Sequence, residues 1–85
     1  RAAVSPGPSL ERQQLFDNGL SAMDAGNYAE AEAIWRQLLE LEPDNPAFHY
    51  YLGRSLRFQE RYEAAEAAFR EAITLGLDAN KPETV

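Results

Sequence analysis

Cysteine is absent from the 85 residues, so neither a disulfide nor a thiolate-bound metal can help hold this chain together. The same absence leaves the redox compartment open. No apolar run reaches the about 18 residues that a membrane-spanning helix needs. The start, Arg1-Ala2-Ala3-Val4 running into Ser5-Pro6-Gly7-Pro8, does not read as a secretory leader, because no apolar stretch follows it. Methionine is missing from position 1, which leads us to expect a piece of a longer protein. Cations are in short supply: 8 Lys and Arg against 14 Asp and Glu give a net charge of −6. Nucleic-acid binding leans on phosphate neutralisation by Lys and Arg, so that balance argues against a nucleic-acid partner. The acidic excess otherwise reads as solubility. Nothing in these totals assigns a compartment.

Chemistry-bearing residues are equally sparse. His49 is the one histidine, and Ser55, six residues on, lies on a different part of the same helix surface. A general base needs a nucleophile within hydrogen-bond reach, so His49 reads as a packed or partly exposed neutral ring. No Gly-rich phosphate loop, nucleophile elbow or His/Cys cluster is present. Glu30, Glu40, Glu63, Glu66 and Glu71 read as a solvated outer surface rather than as paired catalytic carboxylates. No enzyme activity, cofactor or metal is therefore expected.

What the chain does have is helical pattern. Val and Ile are scarce, Ala, Leu, Glu and Arg are common, and apolar residues recur three and four apart. Residues 1–9 read as a linker or disordered tail, rich in Pro, Gly and Ser. Four helices follow. The first runs from about Leu10 to Ala25 with Ser9 as its N-cap and Gly26-Asn27 as its end. The second runs from Tyr28 to Leu41, with Asn27 and Glu30 in capping-box spacing. Pro43-Asp44-Asn45-Pro46 forces a stop. Asn45 then caps a third helix that carries Pro46 in its first turn and ends near Gln59-Glu60-Arg61. The fourth runs from Tyr62 to Leu75, with Gly76 as its stop.

The strongest signal is internal repetition at 34 residues. Gly19 meets Gly53, Ser21 meets Ser55, and Tyr28 meets Tyr62. Ala31-Glu32-Ala33 meets Ala65-Glu66-Ala67, Arg36 meets Arg70, and Asp44 meets Asp78. Trp35 over Phe69 and Leu39 over Ile73 keep their character. A helix–turn–helix unit at this period means a stacked array. A glycine inside a helix costs about 1 kcal/mol against alanine. Its recurrence at one register implies close approach of the paired helix, with Ala31 and Ala65 expected opposite. The fold class expected is therefore all-α, an α-solenoid of two helix–turn–helix units in four antiparallel helices.

Two segments carry a family resemblance: Leu15, Gly19, Gly26-Asn27-Tyr28, Ala31, Trp35 and Pro43, then Leu52-Gly53, Leu56, Tyr62, Ala65, Phe69 and Ala72. The pattern resembles the tetratricopeptide repeat. It places repeat one at about 12–45 and repeat two at about 46–79, within a domain of 10–79. Asn18, Leu38, Glu60 and Leu77 depart from it, Glu60 standing where the turn glycine is usual. Asn80-Lys81-Pro82-Glu83 repeats the cap-then-proline logic of Asp44-Asn45-Pro46-Ala47, so residues 80–85 are expected to start a truncated next helix. A two-repeat fragment should also need cover over Ala68, Ala72 and Ile73 of its last helix. That makes self-association possible.

The resemblance implies that the first helix of each repeat lines an inner, concave wall that binds a protein or peptide. By three/four spacing, Gln13, Phe16, Leu20, Met23 and Asp24 share that face of the first helix. Ala47, Tyr50, Arg54, Arg57 and Phe58 share it on the third, with Tyr51 at the border. Leu15, Gly19 and Ala22, then Phe48, Leu52, Ser55 and Leu56, should turn to the core. Asn45 to Gln59 holds no acidic residue, yet it contains Arg54, Arg57 and four aromatics. Arginine and aromatics dominate binding hot spots, and an arginine fork can grip a carboxylate. The expected partner-binding residues are Phe16, Leu20, Met23, Tyr50, Arg54, Arg57 and Phe58. Two plainer readings stand beside this. Phe16, Leu20 and Met23 can simply pack on neighbouring helices, and Arg54 and Arg57 can pair with Asp24 and other local acids. Some members of the family it resembles clamp a terminal carboxylate with lysine and asparagine, but Phe16, Leu20 and Tyr51 stand at those positions and do not fit such a clamp. A more apolar ligand is expected, extended or helical. The alternative function is a structural spacer or self-association unit within a larger repeat protein.

Overall fold

The computed structural model describes residues 8–76, and they form four α-helices: α1 (Pro8–Ala25), α2 (Tyr28–Leu41), α3 (Pro46–Phe58) and α4 (Tyr62–Thr74). Consecutive helices pack on one another, α1 on α2, α2 on α3 and α3 on α4, so α2 and α3 are each covered from two sides. The start of the fifth helix expected from Asn80-Lys81-Pro82 lies outside the described residues.

The turns explain where the helices end. Gly26 takes φ 82°, its N–H reaches the Met23 carbonyl at 3.1 Å, and the Asn27 N–H reaches Ala22 at 2.8 Å. Those two bonds satisfy carbonyls that a helix end would otherwise leave open. The α3–α4 turn repeats the geometry with Glu60 and Arg61, whose N–H groups bond to Arg57 at 2.8 Å and Leu56 at 3.0 Å. Glu60 takes φ 65° there without being a glycine. Between α2 and α3, Asn45 accepts from the Ala47 N–H at 2.9 Å, with Pro46 opening the helix as expected.

Two capping expectations fail. The first helix begins at Pro8, ahead of Ser9, so Ser9 lies inside it and is not its N-cap. Proline is pre-organised for a first turn, and its missing N–H leaves no donor stranded there. Asn27 does precede α2, but its side chain makes no capping hydrogen bond. Its backbone N–H already closes α1 and its carbonyl already accepts from Ala31 at 3.0 Å, so one residue serves both helices through its main chain.

The core contains Trp35, Leu38, Phe48 and Leu56, all fully buried, with Ala22, Ala31, Ile34, Leu52, Ala65, Ala68 and Ala72 around them. Ser55 is buried among them and donates to the Leu52 carbonyl at 2.9 Å, so its hydroxyl is satisfied. The repeated glycines face something other than the alanines expected. A Cβ at Gly19 would lie 2.6 Å from Trp35, and a Cβ at Gly53 would lie 2.6 Å from Phe69. Each glycine makes room for the aromatic ring of its own repeat. Ring pairs repeat in the same register: Phe16 meets Trp35 at 5.9 Å in the first unit, and Tyr50 meets Phe69 at 5.8 Å in the second.

Candidate functional site

One pocket of about 150 Å³ opens where α1, α2 and α3 converge. Leu20, Met23 and Asp24 of α1 line it, with Tyr28 of α2 and Tyr51, Arg54 and Phe58 of α3. Helical spacing produces this lining, because residues three and four apart share a face and 51, 54 and 58 form one such stripe. Phe58 stacks on Tyr28 at 4.6 Å with the rings 13° apart, and Tyr51 stacks on Trp35 at 4.8 Å. The rim is therefore aromatic, with Phe58 about half exposed. A volume of this order accepts a single ring or branched side chain.

The expected inner-wall residues divide by position. Leu20, Met23, Arg54 and Phe58 meet around the pocket. Tyr50 stands beside it, and the Arg54 guanidinium lies 5.9 Å from the Tyr50 ring centroid. Arg57 is exposed and outside the lining. Phe16 is drawn into the aromatic cluster instead, 6.1 Å from Phe48 and 5.8 Å from Tyr51. Phe16, Leu20 and Met23 all pack against the core, and Leu20 and Met23 also line the pocket. Tyr28 and Tyr51 are pocket residues that sequence reasoning did not assign. The signal was there: Tyr28 directly follows the turn that ends α1, and Tyr51 is the first residue of the 51, 54, 58 stripe.

Arg54 and Arg57 form no ion pair among the described residues, although Asp24 lines the same pocket as Arg54. The paired arginines lie elsewhere. Arg12 pairs with Glu42, and its guanidinium sits 5.3 Å from the Phe48 ring centroid. Glu42 also accepts from the Asn45 amide at 2.8 Å. That bond does most to hold the Glu42 pKa below its ordinary value. Partial burial opposes it, and the hydrogen bond and charge of Arg12 add to it. Glu32 accepts from Gln59 at 3.0 Å and from Arg61 and Arg36 at 2.9 Å. Partial burial pushes the Glu32 carboxyl up. The hydrogen bonds from Gln59 and Arg36 and the charges of Arg61 and Arg36 outweigh it and hold the pKa below 4.5. Gln59 and Arg61 flank the α3–α4 turn, so Glu32 ties the first unit to the second.

His49 contacts the backbone that precedes α3. Its Nε2 lies 2.9 Å from the Pro43 carbonyl, an acceptor, so that nitrogen carries the proton and donates. Among the described residues no group of three or more His, Cys, Asp or Glu could hold a metal, and no helix is long and apolar enough to cross a membrane.

Four helices paired by near-identical turns, each pair built on one glycine and one aromatic ring, define an all-α stack of two helix–turn–helix units. The family model for the tetratricopeptide repeat matches residues 16–82, and the chain belongs to that family. Repeats of this family are non-catalytic modules that generally mediate protein–protein interaction. No curated protein and no solved structure matches the chain.

Proposed function

We propose that this chain is a protein-binding module that holds a partner segment along the face shared by α1 and α3. One apolar side chain of the segment enters the pocket between Leu20, Met23, Tyr28 and Tyr51. A neighbouring carboxylate is drawn to Arg54 and Arg57. The observation that carries this reading is the state of Arg54. It stands at the pocket beside the Tyr50 ring, with no acid paired to it among the described residues, in a chain where acids outnumber bases. An arginine beside aromatic rings is the composition of a binding hot spot.

The test is selection from a random peptide library on the immobilised chain. Enriched peptides should carry a large apolar residue within two or three positions of Asp or Glu. Replacing Arg54 and Tyr51 with alanine should each weaken binding about tenfold or more, the loss typical of a hot-spot residue. Peptides that bind both variants as well as the parent would remove the groove from consideration.

The alternative, a structural unit that packs on copies of itself, draws on the α4 side. Tyr62 and Ile73 are exposed there. Ala68 and Ala72, which the sequence also placed in need of cover, are already buried against the rest of the chain.

A further inference from the structure

Two opposite charges line the groove pocket without meeting. Asp24 stands on its α1 wall and Arg54 on its α3 wall, and no ion pair joins them. Asp24 is exposed and Arg54 half-buried. The rest of the lining is apolar and aromatic, with Tyr28, Tyr51 and Phe58 as its rings. One face of each ring is already covered, since Tyr28 and Phe58 stack on one another and Tyr51 stacks on Trp35.

Those features select among side chains. A carboxylate suits Arg54 and is repelled by Asp24, and an ammonium or guanidinium meets the reverse. A cation also needs open ring faces around it, and these rings have each given one face to stacking. A neutral group that both donates and accepts satisfies the two charges at once. Serine and threonine carry such a hydroxyl but leave a space of about 150 Å³ unfilled. The carboxamides of Asn and Gln set bare polar atoms against the rings. Phenylalanine fills the space and offers the charges nothing, and an indole N–H only donates. A phenol meets every condition. A cavity of this order accepts a ring the size of benzene, and the hydroxyl brings one donor hydrogen and acceptor lone pairs.

Resting on the groove reading above, we propose that the side chain this pocket takes from its partner is tyrosine. The ring lies between the α1 and α3 walls, against Leu20 and Met23. Its hydroxyl donates to the Asp24 carboxylate and accepts from the Arg54 guanidinium, whose five N–H donors leave others for a neighbouring carboxylate. The ends of this chain do not supply the ring, because residues 1–7 and 77–85 contain no aromatic residue. Phosphorylation of the partner's tyrosine would set a group of about −2 charge against Asp24 and release it. Solvent reaches both charges, so a ring without a hydroxyl leaves them wet rather than stranded. Discrimination is then about tenfold, not the several orders of magnitude of a sealed site.

The probes are p-cresol and toluene, the Tyr and Phe side chains as free molecules, together with p-tolyl phosphate. Each is titrated into the full chain and followed by NMR shifts of the Leu20 and Met23 methyl groups. p-Cresol should bind about tenfold more tightly than toluene, and p-tolyl phosphate more weakly than p-cresol. Asp24→Ala should bring p-cresol and toluene close to equal affinity. Equal binding of the two by the parent chain overturns the tyrosine assignment and leaves the groove as an apolar pocket. Shifts from none of the probes overturn the groove reading with it. Tightest binding by p-tolyl phosphate makes Arg54 an anion site and overturns the assignment, as does a preference for p-cresol that survives Asp24→Ala. Self-association of the chain that Tyr62→Phe weakens puts a second copy in the pocket and overturns the assignment to a partner.

Discussion

Replacing Gly19 with alanine sets two known effects against each other. Alanine is the better helix former by about 1 kcal/mol, so on propensity alone the substitution stabilises α1. The new methyl, however, would lie 2.6, 2.8 and 2.9 Å from three carbons of the Trp35 ring. The indole has nowhere to go: it is fully buried, stacked by Tyr51 on one side and met by Phe16 on another. Forcing extra volume into such a site costs about 1–3 kcal/mol. The net expectation is a loss of up to about 2 kcal/mol. Gly53 supplies the internal control. Its Cβ would come equally close to Phe69, but that ring is only half-buried and no second ring stacks on its outer side among the described residues. Phe69 can swing outward, so Gly53→Ala should be neutral or stabilising by up to about 1 kcal/mol. Urea unfolding followed by far-ultraviolet circular dichroism measures both, and Trp35 fluorescence reports on the first site directly. A Gly19→Ala protein as stable as the parent, or less affected than Gly53→Ala, would refute this account of the repeated glycine.

Three further outcomes follow from the turns and ion pairs. Glu60→Gly should raise the urea midpoint by the equivalent of about 1 kcal/mol, because the left-handed φ of 65° costs a non-glycine residue about 1–2 kcal/mol, part of which the extra freedom of glycine in the unfolded chain offsets; Glu60→Gln, which keeps the strain, should move it little. Asn45→Ala should cost about 1 kcal/mol in the same assay, since the side chain caps α3 and also donates to Glu42. The Glu32 carboxyl has a folded pKa below its unfolded value, so its contribution is complete above about 4.5 and is lost as the pH falls through the folded value. Acid titration of stability should show that loss, and Arg61→Ala should flatten it; an unchanged acid limb in that variant would separate Glu32 from the coupling between the units.

Much of the fold was legible because it rests on local rules. Gly26, Gly76 and Asn45-Pro46 punctuate the chain by backbone chemistry that no distant contact overrides. The second helix matches its expected span, and the third and fourth differ only at their last turns. Ser9 and Asn27 misled for a related reason. Both are good cap residues by type, but a cap depends on where the main chain turns, and Pro8 and the Gly26 turn had already decided that. The core face of α3 was also readable, since Phe48, Leu52, Ser55 and Leu56 follow one helical stripe and all are buried.

The candidate site was legible only in part. Spacing alone places Phe16, Leu20 and Met23 on one side of α1 without saying what stands opposite. Once α3 packs alongside, Phe16 is taken by Phe48 and Tyr51, while Leu20 and Met23 remain at the mouth of the pocket. Tyr28, read from the sequence only as the start of the second helix and a repeated identity, reaches the same pocket because α2 begins where α1 and α3 converge.

By itself, then, the sequence determined the repeat, its period, its turns and the polarity of each helix face, because these depend on residues a few positions apart. Which partner each repeated residue meets was decided by tertiary structure. Tyr28 and Tyr62, Trp35 and Phe69, Glu32 and Glu66 are paired in the sequence and unequal in the molecule. The first of each pair is covered by α3, whereas Tyr62 and Glu66 stand exposed on α4 and Phe69, packed on Gly53 and Tyr50, stays half-buried.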